Sequence, residues 1–109
     1  MGDMIMASMN YGCWSGRELQ AIHRVRDASR AFAALEWEGG HSDEGDPWCI
    51  IHDTERKQVI LHIARIDRHY VVVGPTRGHV YRIAYLTAAV ETALRELNHA
   101  GLRCNDKVA

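Results

Sequence analysis

The sequence predicts an α+β fold in which one helix is followed by three or four antiparallel strands and a second helix, α-β-β-β(-β)-α. Three observations support this prediction. An apolar stripe with helical spacing begins near residue 16, segments rich in Ile, Val and aromatic residues follow between 48 and 73, and a second helical stripe begins near residue 84. Hairpin strands flanked by helices are typical of an α+β layer rather than of an alternating parallel sheet.

Length and charge limit what the chain can be. Its 109 residues predict one domain over 15–102, with a flexible N-terminal segment (1–14) and a frayed C-terminal tail (103–109). Lys and Arg number 13 against 14 Asp and Glu, a net charge of −1. This balance excludes a strongly basic nucleic-acid-binding surface. No apolar run reaches the ~18 residues of a spanning helix and no signal peptide is evident, so we expect no membrane partner.

The cysteines indicate the compartment. Cys13, Cys49 and Cys104 are odd in number, widely spaced, and contain no C-x-x-C motif. Such a set is not typical of a disulfide framework, so the sequence predicts a cytoplasmic protein with free thiols.

The first helix has a clear start. Ser15 and Glu18 match the Ser-x-x-Glu capping box that begins many helices. Apolar residues then recur at helical spacing, namely Ile22, Val25, Phe32 and Leu35. Gly39 and Gly40 favour the left-handed conformation that ends a helix. We predict a helix over 16–37 and a loop over 39–47, since Gly, Ser, Asp and Pro dominate there.

The central segments are predicted to be strands. Residues 48–52, 59–66 and 69–73 have β-type composition. Asp67-Arg68 fits a two-residue hairpin loop, although the usual Gly is absent. Residues 79–82 are either a fourth strand or the approach to the last helix, which we expect to run from about Ala84 to Gly101.

Both faces of this sheet are predicted to be apolar. The hairpin loops place Ile66 opposite His69 and Cys49 opposite His62. An antiparallel sheet with one wet face alternates apolar and polar residues, and this one does not. Two helices cover one face, so the second becomes an interaction surface. If instead one helix packs on each face, the monomer is complete.

The preferred function is therefore a small non-catalytic binding or regulatory module that acts through protein–protein contact. Its partner is a second copy of the chain or another protein, and no cofactor is expected. The predicted interface residues are Trp48, Ile50, Leu61, Ile63, Arg65, Tyr70 and Val72. Aromatic and Arg side chains dominate such interfaces.

Two alternatives from other classes stay open. One is nucleic-acid binding by the arginines of the first helix, Arg17, Arg24, Arg26 and Arg30, which could contact phosphates. The other is a small metal- or thiol-dependent enzyme, because Cys49 and His62 are predicted to face each other with His69 further along the same face. Arg77 and His79, in a Gly-rich turn between a strand and a helix, form a candidate anion site.

Overall fold

The computed structural model describes residues 14–32, 34–75 and 79–108, with the backbone alone from residue 100. The elements in chain order are α1 (Gly16–Ser29), β1 (Leu35–His41), β2 (Pro47–Asp53), β3 (Gln58–Ile66), β4 (His69–Val73), β5 (Val80–Ile83) and α2 (Leu86–Val108). The predicted α+β fold is confirmed, but the sheet has five strands rather than three or four.

The start of α1 is as predicted. The Ser15 side chain accepts a hydrogen bond from the Glu18 backbone N–H (3.1 Å), and a Glu18 carboxylate oxygen accepts one from the Ser15 N–H (2.8 Å). These two contacts satisfy backbone donors that the first turn leaves unpaired.

The end of α1 differs from the prediction. The helix stops at Ser29, and residues 35–41 form β1 instead of a last helical turn and a loop. Ala34, directly before β1, has a φ of 70°, a left-handed conformation outside the helical region. Phe32 and Leu35, which continued the apolar stripe, pack against the core from the turn and from β1.

The five strands form one antiparallel meander in the order β1-β2-β3-β4-β5. The β3–β4 register is the predicted one, with Ile66 opposite His69. Asp67 and Arg68 both have positive φ, 51° and 67°. This is the backbone of a type I′ turn, which matches the twist of the flanking strands even without Gly.

The β2–β3 register agrees with the prediction at one end only. Val59 lies opposite His52 as expected, but the register then shifts, so that Leu61 pairs with Ile51. Ile60 is the extra residue of a β-bulge. Because side chains alternate between faces, one added residue exchanges the faces of everything beyond it. The predicted pairing of Cys49 with His62 is therefore wrong, and Cys49 lies opposite Ile63.

The last two elements settle an ambiguity. Val80–Ile83 is a strand, paired with β4. α2 begins close to the expected residue but continues past Gly101 to Val108. A glycine inside a helix costs only about 1 kcal/mol relative to alanine, so it does not by itself end one.

Both helices pack on the same face of the sheet. The core combines apolar residues of the two helices with those of β2, β3 and β4, namely Ile22, Val25, Cys49, Ile51, Ile60, Leu61, Ile63, Val72, Ala89, Val90, Ala93 and Leu97. We call this side the covered face. It takes the alternate residues of each strand, with Ile60 added by the bulge.

Candidate interaction surface

The opposite side of the sheet is packed against neither helix. We call it the open face. Its side chains come from all five strands: Glu36, Glu38, Gly40, Trp48, Ile50, His52, Val59, His62, Ala64, Ile66, His69, Val71, Val73, Val80 and Arg82. Val59 is 51% exposed and Val80 59% exposed. A contiguous apolar area of this kind is typical of an interaction surface.

Trp48 organises the centre of the open face. Its ring crosses β1 at Gly40, where an added Cβ would lie 2.7 Å from the Trp48 ring. The ring also meets His62 edge to face, with 6.4 Å between the ring centres. Gly40 is thus needed for the close approach of the indole to β1. Trp48, Ile50, Val59, His62 and Val73 line a shallow depression beside Gly74.

His62 is the polar group in that depression. Desolvation lowers the pKa of its imidazole below the ordinary value of 6.5. Burial disfavours the charged form, so the ring is neutral at physiological pH. The centre of the open face is therefore uncharged as well as largely apolar.

Charge carried by the strands of the open face lies on the two edge strands, and Lys57 of the β2–β3 turn lines one depression together with Glu38. Glu36 and Glu38 stand on β1, the first strand of the sheet, and Arg82 stands on β5, the last. All three are exposed. Across its described strands the open face therefore has one acidic edge, an apolar middle and one basic edge, with Lys57 at the end of the central strands.

On the covered face, a buried charged side chain is paired within the chain. Glu18 is only 6% exposed, and its carboxylate accepts hydrogen bonds from the Arg65 guanidinium and from the Tyr70 hydroxyl (2.7 Å). Arg65 also lies over the Trp14 ring, 6.0 Å from its centre. The burial of Tyr70 and its bond to Glu18 raise the pKa of that phenol to about 12. This cluster joins α1 to β3 and β4.

A second buried carboxylate joins α2 to the sheet. Glu96 is 5% exposed, and one of its oxygens accepts a hydrogen bond from the Tyr81 hydroxyl (3.0 Å). The other oxygen lies against Gly74, where an added Cβ would be 1.8 Å away. That oxygen has no hydrogen-bond partner in the described part of the chain. A side chain at position 74 would therefore have to displace the Glu96 carboxylate from this place.

The structure divides the predicted interface residues between the two faces. Trp48 and Ile50 lie on the open face. Arg65 and Tyr70 belong to the Glu18 cluster on the covered face. The remaining three, Leu61, Ile63 and Val72, are at most 3% exposed beneath the helices. The bulge and the position of the helices account for this division. Both helices pack on the face that carries Arg65, Tyr70 and the three residues beneath them.

The predicted metal and thiol site is not assembled. Cys49 lies on the covered face, whereas His62 and His69 lie on the open face. Across the described ranges, no three His, Cys, Asp or Glu side chains are grouped so as to hold a metal ion. Burial raises the pKa of the Cys49 thiol to about 12, so it is protonated at neutral pH. A protonated, 1% exposed thiol is a poor nucleophile.

The arginines of α1 do not form one cluster. Arg26 and Arg30 both lie 3.7 Å from the Asp27 carboxylate, whereas Arg17 and Arg24 are exposed elsewhere on the helix. At the candidate anion site, Arg77 lies outside the described residues. His79 is exposed, with its Nδ1 3.5 Å from the Tyr81 hydroxyl.

Sequence reasoning missed several open-face residues, among them Val71, Val73 and Arg82. The predicted register assigned Val71 and Val73 to the other face, and the strand that carries Arg82 was left undecided. It also missed Glu36 and Glu38, because β1 was taken for helix and loop. The alternation of Leu35, Glu36, Trp37 and Glu38 is a period-two signal that could have identified that strand.

Comparison with known proteins provides no relative. No protein-family model, curated protein or solved structure matches the chain. Within the described ranges, neither helix is both long and apolar enough to cross a membrane.

Proposed function

We propose that the protein is a small non-catalytic binding module that acts by docking another protein on its open face. The observation that carries this proposal is the placement of both helices on one side of the sheet. The other side presents Trp48, Ile50, Val71 and Val73 around a neutral His62, and the charged residues of its strands stand on the two edge strands. The cytoplasmic location indicated by the cysteines remains a prediction.

The composition of the face favours a protein partner. Interface centres are depleted in charge and enriched in aromatic residues, with polar groups at the rim. The open face has this arrangement. A flat sheet surface without a deep cavity fits another folded surface better than a small molecule, which is usually enclosed in a concave pocket. A second copy of the chain is the first candidate, since twofold homodimers are the commonest oligomers.

The proposal is tested by measuring whether the open face is covered where the protein works. A reporter thiol is introduced by Ile50→Cys, and a control thiol by Glu91→Cys on the exposed side of α2, both with Cys13→Ser and Cys104→Ser. Cys49 remains, because its buried, protonated thiol reacts slowly. Alkylation rates are compared between dilute purified protein and cells that produce the protein.

We expect the thiol at position 50 to react several-fold more slowly in cells than in dilute solution, and the thiol at position 91 to react equally in both. Protection that also appears when the purified protein is concentrated identifies a second copy as the partner. Equal rates at both positions under all conditions would show that nothing docks on this face, and the proposal would be wrong.

A further inference from the structure

The two charged edges of the open face are too far apart to neutralise each other within one chain. Four strand spacings separate β1 from β5, which is about 19 Å. This exceeds the Debye length of about 8 Å at physiological salt. Among the described residues, no ion pair involves Glu36, Glu38 or Arg82. The edges are therefore complementary to a partner with the opposite order of charge.

We propose that this partner is a second copy of the chain, related by a twofold axis that runs parallel to the strands. This inference rests on the proposed function, since it names the occupant of the same face. In this arrangement β1 of each copy lies over β5 of the other. Arg82 lies in the same row of the sheet as Gly40, so Glu38 of one copy comes within about 7 Å, measured along the strand, of the partner's Arg82, and this contact occurs twice. Glu36 lies about 14 Å away along the strand and takes no part in it.

Two twofold axes can place the open faces against each other, one parallel to the strands and one across them. The rim charges favour the axis parallel to the strands. If the axis ran across the strands, β1 would lie over β1 and β5 over β5. Glu38 would then face glutamates, and Arg82 would face arginine. Like charges at a rim oppose association and help to exclude wrong arrangements. The distribution of charge across the sheet thus distinguishes two arrangements that apolar contact alone would leave equal.

The centre of the sheet is compatible with the same axis. β3 is the middle strand, so an axis along the strands places β3 over β3 and brings each of its residues near its own copy. The open-face residues of β3 beside this axis include His62 and Ala64. The neutral His62 imidazole places no charge at the axis, and Ala64, which is only 6% exposed, adds no protruding side chain there.

The area of the face predicts a weak dimer. The open face measures about 19 Å across the strands and about 20 Å along them, or about 400 Å² in projection. A standard interface buries about 800 Å² from each partner. We therefore expect a weak, transient dimer, in which two pairs of rim charges are enough to shift the equilibrium.

The test is sedimentation velocity over a micromolar concentration series at low salt and mildly alkaline pH, where ordinary imidazoles are neutral. Glu38→Lys and Arg82→Glu should each raise the dimer Kd about tenfold, because each change replaces two attractions by two repulsions. The double variant Glu38→Lys/Arg82→Glu should restore the wild-type Kd within about threefold. At high salt the single-variant effects should fade, since screening removes them.

Two further variants separate this inference from the proposed function. Glu91→Lys makes the same charge change on α2 and should leave the Kd unchanged. Val71→Gln/Val73→Gln makes the middle of the open face polar without adding charge and should abolish the dimer in either arrangement. Circular dichroism confirms that each variant is folded.

Each outcome then has one meaning. If the valine variant abolishes the dimer but the single charge reversals do not weaken it, the strand-parallel axis is wrong and the docking face stands. If the dimer survives the valine variant, the copies meet elsewhere and the homodimer on the open face is wrong. A wild-type chain that stays monomeric throughout overturns the homodimer, and the alkylation of position 50 in cells then decides whether another protein binds there.

Discussion

Ile50 and Ile51 are neighbours on β2, yet they lie on opposite faces of the sheet. Ile51 is 1% exposed beneath the helices, whereas Ile50 is half-buried on the open face. The same contrast extends to charge. The covered face neutralises Glu18 in place with Arg65 and Tyr70, whereas the open face keeps the charges of its strands at two distant edges. One face is therefore complete within the chain, and the other has the composition of a contact surface.

The largest expected effect is the loss of folding stability when an apolar residue of the covered face is truncated, compared with its neighbour on the open face. Ile51→Ala should lower the free energy of unfolding by about 2–5 kcal/mol, because it leaves a cavity in a packed core. Ile50→Ala should cost about 1 kcal/mol or less in dilute, monomeric protein, since its side chain is already partly in water. Urea denaturation measures both. Equal losses would show that the open face is packed as tightly as the core.

The two buried carboxylates on the covered face provide the next test. Glu18→Gln should destabilise the fold by about 2 kcal/mol, because the neutral amide no longer compensates Arg65 and cannot accept from all its donors. Glu96→Gln should cost about 1 kcal/mol at most, because one of its oxygens has no partner to lose. Denaturant unfolding at neutral pH compares the pair. A larger loss for Glu96→Gln would place an additional cation beside it.

Alkaline pH should lower the folding stability through Tyr70, which belongs to the Glu18 cluster. The Tyr70 phenol has its pKa raised from 10.0 to about 12, so the folded state holds its proton more tightly than the unfolded state. This stabilisation is fully present below pH 10 and is lost as the pH rises from 10 to 12. The difference in unfolding free energy between wild type and Tyr70→Phe should shrink across this range. A difference that stays constant would contradict the raised pKa.

Acid pH should lower the folding stability through His62 on the open face, and this is the smallest of the expected effects. Because desolvation lowers the pKa of His62 below 6.5, the unfolded state binds the proton more readily than the folded state. Its contribution is constant above 6.5 and turns unfavourable as the pH falls below that value. In dilute protein, His62→Gln should lose less stability than wild type between pH 7 and 5. His23→Gln on α1 is the matched control, and identical slopes for wild type and His62→Gln would refute the assignment.

The elements that sequence reasoning predicted correctly are those with a strong local cause. The Ser15–Glu18 capping box marks the start of α1, and the two-residue Asp67-Arg68 loop sets the β3–β4 register. The end of α1 was mispredicted because Phe32 and Leu35 continue a helical stripe although they reach the core from a turn and a strand. Periodicity records which residues are apolar, and it does not record the direction of the chain.

The sequence predicted an uncovered apolar face of the sheet, but it assigned only some of the residues of that face correctly. Trp48 and Ile50 were assigned to the open face, whereas Leu61, Ile63 and Val72 proved to lie beneath the helices. A single added residue, Ile60, causes this exchange. Sequence offers no clear signal for a bulge inside a run of apolar residues, because any residue of the run could be the extra one.

Composition and spacing alone determined that this chain forms an antiparallel sheet with a helix before it and a helix after it in the sequence, and that both sides of the sheet are rich in apolar residues. Those are local properties, set by side-chain type and backbone preference. Only the tertiary structure decided that both helices pack on one side, which residues the bulge sends to the other, and where its charges stand. These depend on strand register and helix placement, which are fixed by contacts between residues far apart in the chain.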